Sequence, residues 1–220
     1  MNKILIGNNY RMRLGLITLI LSFTNLYVIA QQKILLEATN LKTIIAYEDS
    51  IGSDSKKSIL FNPYDDNDFI ELFSKWHKVN NRAFIYSNKN DNFYPNLHTW
   101  YYSDKDSIIR LVLYNWDLRN IDLATSNEEF KKQTTRFDEY KTKYTEVKSK
   151  LTNLLGTPMQ NDLENENNYE YLIKSVWDFK DKKVVLRLIF DKQIKEVYDE
   201  FIKKTLIYPH TGIEMKIVFK

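Results

Sequence analysis

The stretch from Ser126 to Pro158 constrains this chain more than any other, because it reads as one long amphipathic helix with a marked start and a marked stop. Ser126-Asn127-Glu128-Glu129 fits a capping box: the Ser126 hydroxyl can accept the Glu129 backbone N–H, and the Glu129 side chain can reach back to the N–H of Ser126. Apolar residues then recur at Phe137, Tyr140, Tyr144, Val147, Leu151 and Leu154, steps of three and four that share one stripe, and Phe130 extends it backward. Lys131, Lys132, Arg136, Lys141, Lys148 and Lys150 are expected in solvent on the opposite face. Gly156 suits the left-handed residue past a helix end, and Pro158 prevents continuation. A sustained heptad would mean a coiled coil. This repeat is short, aromatic-rich and capped at both ends, so a helix over about 126–155, packed on a sheet or on other helices, is expected.

The N-terminus carries an address. Lys3, Arg11 and Arg13 precede the apolar run from Leu14 to Phe23, with no acidic residue before position 31. Val28-Ile29-Ala30 places short side chains three and one before a cut. This pattern is expected to be a signal peptide over 1–30, cleaved after Ala30, which sends the chain to the periplasm or out of a bacterial cell. The apolar run is short for a spanning helix and is broken by Thr24 and Asn25, so no stable membrane span is expected after cleavage.

Cleavage changes the charge argument. The chain has 32 Lys and Arg against 29 Asp and Glu, and three of the basic residues precede position 31. The exported chain is then neutral, without the cation surplus that displaces counterions from phosphate, so no nucleic-acid partner is expected. The absence of cysteine excludes disulfides, thiolate metal sites and cysteine nucleophiles.

Residues 31–220 are expected to form a single α+β domain whose first part, 31–62, is irregular. Ile34, Leu35, Leu41, Ile44, Ile45 and Tyr47 fit either a helix or a strand pair, and 49–58 has loop composition. A short helix is expected over 68–78 and a strand over 82–87. Asp66-Asn67-Asp68 resembles the opening of a calcium loop but lacks its glycine and distal glutamate, so helix capping is the better reading. Two strands, 99–103 and 107–116, join around Asp104-Lys105-Asp106; the second is apolar on both faces and is expected to be central. Residues 160–170 read as an acidic, Asn-rich linker. A second hairpin comes next, over 175–179 and 183–191, then a short helix over 194–202, and a half-buried terminal strand over 213–219.

The two hairpins compare: Trp100-Tyr101-Tyr102-Ser103-Asp104-Lys105 beside Trp177-Asp178-Phe179-Lys180-Asp181-Lys182. A duplicated hairpin–helix unit and a chance likeness of aromatic hairpins both remain open. Leu155-Gly156-Thr157-Pro158 closing a helix ahead of the aromatic segment at Trp177 resembles the general style of exported proteins of Bacteroidetes-type bacteria. That likeness covers the second half and carries no functional residue.

Chemistry is sparse. Gly52, Gly156 and Gly212 are the only glycines after position 30, so no phosphate-cradling loop, dinucleotide fingerprint or nucleophile elbow can be built. His77, His98 and His210 are isolated from one another, which argues against a histidine metal site, and no cofactor is expected. Trp100, Tyr102, Trp116 and Trp177, on or beside strands, are the candidate binding surface, because exposed aromatics on a sheet can stack on sugars or anchor a protein. The sequence therefore predicts an antiparallel sheet of four to six strands with the long helix on one face. Its expected function is non-catalytic binding of another protein, as an inhibitor or immunity-type partner. A carbohydrate-binding module using the strand aromatics is the alternative, and a hydrolase with a scattered site the second.

Overall fold

The computed structural model describes residues 34–56, 79, 82–88, 93–117, 131–168, 170–192, 196–199, 204–207 and 211–220, with the backbone alone for 196–199 and 204–207. The chain divides into two compact units, Met1–Leu35 and Leu36–Lys220. The expected signal peptide, calcium-like loop and 68–78 helix lie outside the described residues. Every described helix and strand belongs to the second unit. In order they are α1 (Leu41–Ser50), β1 (Asp54–Lys56), β2 (Phe84–Asn88), β3 (Leu97–Ser103), β4 (Ile109–Asp117), α2 (Phe137–Leu155), β5 (Gln160–Glu166), β6 (Glu170–Asp178), β7 (Lys182–Asp191), β8 (Glu196–Asp199), β9 (Lys204–Ile207) and β10 (Gly212–Phe219).

One antiparallel sheet has eight strands in the order β1-β2-β3-β4-β10-β7-β6-β5, where four to six were expected. The two extra strands are its edges, β1 and β5. Neither shows an apolar alternation, because an edge strand is held by backbone pairing on one side only. The expected linker over 160–170 is thus strand β5 and its turn into β6. Within the expected helix over 194–202, residues 196–199 are strand β8, which pairs with β9 from Glu196↔Ile207 to Asp199↔Lys204. β-Branched and aromatic residues such as Val197, Tyr198, Thr205 and Ile207 favour that outcome.

β10 also departs from expectation. Instead of a half-buried strand, it is the central one, buried on both faces between β4 and β7. Ile213, Met215 and Ile217 point to one side of the sheet, Glu214, Lys216 and Val218 to the other. β4 lies between β3 and β10 and is buried on both faces, as its two apolar rows required.

The described helices α1 and α2 cover the same face of the sheet. α1 follows the Asn40 cap, whose Oδ1 accepts the Lys42 N–H at 2.9 Å, and reaches Tyr101 on β3 through Glu48. α2 lays Tyr140, Tyr144, Val147 and Leu151 against the sheet. Phe137 meets the rings of Tyr171 and Phe190 edge-on at 4.9 and 5.0 Å. Leu154, expected in the stripe, is 58% exposed. A true helix drifts off a 3.5-residue repeat, so the position after Leu151 that turns inward is Leu155, not Leu154.

The long helix is also shorter than expected. Residues 131–133 are helical, the chain turns at 134–135, and α2 starts at Phe137. The capping box at Ser126 lies outside the described residues. Thr134 and Thr135 make the break: their hydroxyls donate to the carbonyls of Lys131 and Lys132 at 2.7 and 2.8 Å. Arg136 then anchors the corner. It donates to the Tyr94 carbonyl at 2.5 Å and to Glu139 at 2.6 and 2.9 Å, with its guanidinium over Phe93, Tyr94 and Tyr140. At the other end Gly156, at φ +83°, stops the helix as expected.

The sheet's other face holds the cluster of Val79, Ala83, Ile85, Trp100, Tyr102, Leu111, Leu113, Val176, Val185 and Val218. The β3–β4 and β6–β7 hairpins flank β10. Trp100 stands on this second face and Trp177 on the helix face.

Candidate functional site

The four candidate aromatics are buried. Trp100, Tyr102, Trp116 and Trp177 are 3%, 0%, 4% and 1% exposed. Trp177 is fixed by its indole N–H, which donates to the Gly156 carbonyl at 2.8 Å. The glycine that ends α2 therefore also seats the tryptophan of β6. Trp116 lies under Lys143 of α2, 5.7 Å from its ring centre. Trp100 and Tyr102 belong to the opposite core. All four are packing residues in this geometry, and none offers a ring face on which a sugar could stack. The structure divides them between two faces of the sheet rather than bringing them together.

Three polar groups, buried or half-buried, lie on or against the sheet. On the helix face, Glu48 is fully buried on α1; its carboxylate accepts the Tyr101 hydroxyl and, at 2.5 Å, the Ser53 hydroxyl. Burial first, then Tyr114, and then the charge and hydrogen bond of Glu48, push the Tyr101 hydroxyl far above its ordinary range. A tyrosine so placed stays protonated and acts as a donor.

A second group ties β5 to α2. Asp162 sits in a bulge at φ +48°, which turns its carboxylate toward the helix. It accepts from Lys148, from the Tyr144 hydroxyl at 3.2 Å and from Ser175 at 3.1 Å. Burial raises the Asp162 carboxyl, but Lys148, Ser175 and Tyr144 outweigh it and hold the group below its ordinary range. Lys148, expected in solvent, is thus drawn in by a residue of the segment read as a linker. Ser175 is fully buried here, so its hydroxyl is a strut rather than a nucleophile.

The third group is a polar row across the face away from the helices. Ser87, His98, Asn115, Glu214, Arg187 and Lys174 occupy successive register positions on β2, β3, β4, β10, β7 and β6. Arg187 donates from Nε and Nη2 to Glu214 Oε2 at 2.8 and 2.6 Å, and Lys216 Nζ approaches the same oxygen at 3.5 Å. His98 is 3% exposed, and its Nδ1 lies 3.1 Å from the Asn96 carbonyl, which an Nδ1–H satisfies. His98 and Glu214 stand two strands apart, about 10 Å by the interstrand spacing, too far for a proton-sharing pair. His77 and His210 lie outside the described residues. Among the described residues no group of three histidines or carboxylates could hold a metal ion.

What the described surface offers is different. Five large hydrophobic residues are exposed, Phe84, Tyr94, Leu154, Met159 and Leu163, and the last three lie between the end of α2 and β5. All of β5 is exposed. Sequence reasoning missed this edge because Gln160–Glu166 has the composition of a loop; the one hint is that neither glycine nor proline separates it from the apolar run at Tyr171. A shallow depression on the outer side of α2, lined by Asp138, Lys141, Thr142, Thr145, Glu146 and Ser149, holds solvated groups only. No described helix is long and apolar enough to cross a membrane. Comparison with protein-family models, with curated proteins and with solved structures finds no match for this chain.

Proposed function

We propose that the protein is exported and acts by binding another protein, as an inhibitor or immunity-type partner, rather than by catalysis. The observation that supports this reading is the placement of the exposed aliphatics. Leu154 and Met159, 58% and 64% exposed, lie at the end of α2 and just past it, and Leu163, 53% exposed, lies on the edge strand β5 that follows. Exposed apolar groups beside a polar rim are what a protein interface offers, and isolated ones elsewhere need no explanation. Export is read from Lys3, Arg11, Arg13 and the apolar run that ends before Ala30, with the periplasm or the cell exterior as destination. The two hairpins fit a duplication of the hairpin alone rather than of a hairpin–helix unit, because strand β8 stands where the second unit's helix was expected. β4 and β7 run the same way on either side of β10, with Trp100 and Trp177 on opposite faces, as a two-fold axis along β10 would place them.

A photo-activated cross-linker at Met159, with a control at Ser149 on the outer side of α2, tests the binding reading in the exported fraction. One adduct of defined mass from Met159 and none from Ser149 is expected. Equal labelling from both positions, or none from Met159, overturns it.

A further inference from the structure

We infer that the sheet closes in two steps, with β10 docking first on β7 and the seam between β4 and β10 forming last. The half from α1 to β4 and the half from α2 to β10 are each held by contacts of their own. In the first half the Leu41 N–H donates to the Ser107 carbonyl and the Ile109 N–H to the Thr39 carbonyl, both at 2.8 Å, and Glu48 of α1 accepts from Tyr101 of β3. In the second, Phe137 meets Tyr171 and Phe190, Lys148 and Tyr144 reach Asp162, and the Gly156 carbonyl holds Trp177, which ties α2 to β5, β6 and β7. Among the described strands, only β4 and β10 join one half to the other. Side chains of α2 and of the turn before it reach back across the seam: Lys143 over Trp116, Tyr140 edge-on to Phe93, and Arg136 to the Tyr94 carbonyl.

Chain length and charge set the same order. Pairing β10 with β7 closes a loop of about 25 residues, and pairing it with β4 one of about 95, so the nearer joint costs less entropy and forms sooner. Glu214 stands opposite Arg187 on β7 and Asn115 on β4, and Lys216 stands opposite Val185 and Leu113. Arg187 gives the Glu214 carboxylate bonds of 2.8 and 2.6 Å, whereas the facing residues of β4 offer no counter-charge. β10 therefore reaches β4 with Glu214 already neutralised; the reverse order would bury a bare carboxylate. The seam also has a steric requirement. A Cβ at Gly212 would stand 2.9 Å from the Cβ of Asp117, its register partner on β4, and the three nearest atoms it would meet all belong to Asp117. Gly212 thus serves the joint with β4 and not the joint with β7. Because β10 follows in sequence every strand it joins, the sheet stays open until all of them have been made. That suits the export proposed above, but the closure does not rest on it.

The test is pulsed hydrogen exchange during refolding of the full chain from urea; chains of this length commonly fold through partly formed states. Alternate residues of β10 direct their N–H toward β7 and toward β4. The amides directed at β7 are expected to be protected early, with the β3–β4 and β6–β7 hairpins, and those directed at β4 only in a later phase. Gly212→Ala should weaken that later step about tenfold and leave the early phase unchanged. Protection of both sets of β10 amides in one phase, or of the β4-directed set first, overturns the inference. So does a later phase that Gly212→Ala leaves unaltered, or an equal effect of the substitution on both phases. Labelling of the unaltered chain decides the order by itself where Gly212→Ala does not refold.

Discussion

The contact between Tyr101 and Glu48 shows how a single residue pair ties the two ends of the first half together. The two are 53 residues apart, and both are sealed from water. Tyr101→Phe leaves a buried carboxylate short of one donor and should cost about 2–3 kcal/mol, read from urea denaturation. Replacing Glu48 by Leu in the same chain should recover part of that, since removing both partners leaves less polar surface unsatisfied. Lys216 is a different case. Burial pushes its ammonium down to about 8, and its neighbour Glu214 is already held by Arg187. Lys216→Met keeps the length and drops the buried charge, and should stabilise the fold at neutral pH by about 1 kcal/mol. The sequence contains these residues but not their pairing. Nothing in the local pattern marks Glu48 as buried or Lys216 as half-buried in the central strand, because both lie in ordinary amphipathic alternation.

At the scale of elements, α2 was the most legible feature and still differs from its sequence pattern at both ends. The stripe of Tyr140, Tyr144, Val147 and Leu151 is core. Leu151→Ala should cost about 2–5 kcal/mol, and Leu154→Ala about 0.5 kcal/mol or less, in the same thermal or urea assay. Equal costs would mean that the stripe follows the heptad after all. The break before Phe137 was hidden because Thr134 and Thr135 are compatible with a helix until their hydroxyls bond to the preceding carbonyls. β5 was hidden for the converse reason: its strand character comes from its neighbour β6, and its polar side chains say only that it is at the surface. Asp162 gives this element a pH signature. Its folded carboxyl titrates below the ordinary value of 3.8, so its stabilisation is complete above about pH 4 and disappears as the pH falls through the lower folded value. Asp162→Asn should therefore weaken the fold at neutral pH, and the gap from the unaltered chain should close on acidification. A gap that stays constant down to strongly acid pH would show that Lys148 does not act on Asp162 through charge.

For the whole molecule, β10 is decisive. It joins the β1–β4 and β5–β7 halves, so the sheet is complete only when the C-terminal segment is in place. This gives stability an alkaline signature as well. Between about pH 8 and pH 10 the unfolded chain binds the Lys216 proton more readily than the folded one, so the penalty for burying that charge fades as pH rises. The advantage of Lys216→Met should accordingly shrink toward pH 10, which a series of urea curves would check. Of the architecture, the sequence by itself determined the α+β class, the two aromatic hairpins, the centrality of β4, the stop of α2 at Gly156 and the poverty of catalytic motifs. Each of these is carried by a local period or by a residue type whose backbone preference holds in any surroundings. Tertiary structure decided which aromatic rings would be buried, which strands would form the edges, and that a strand bearing Glu214 and Lys216 would lie at the centre. Those outcomes depend on partners distant in sequence. A charge such as Glu214 can enter the sheet interior only once Arg187, on a different strand, arrives across the ladder to neutralise it.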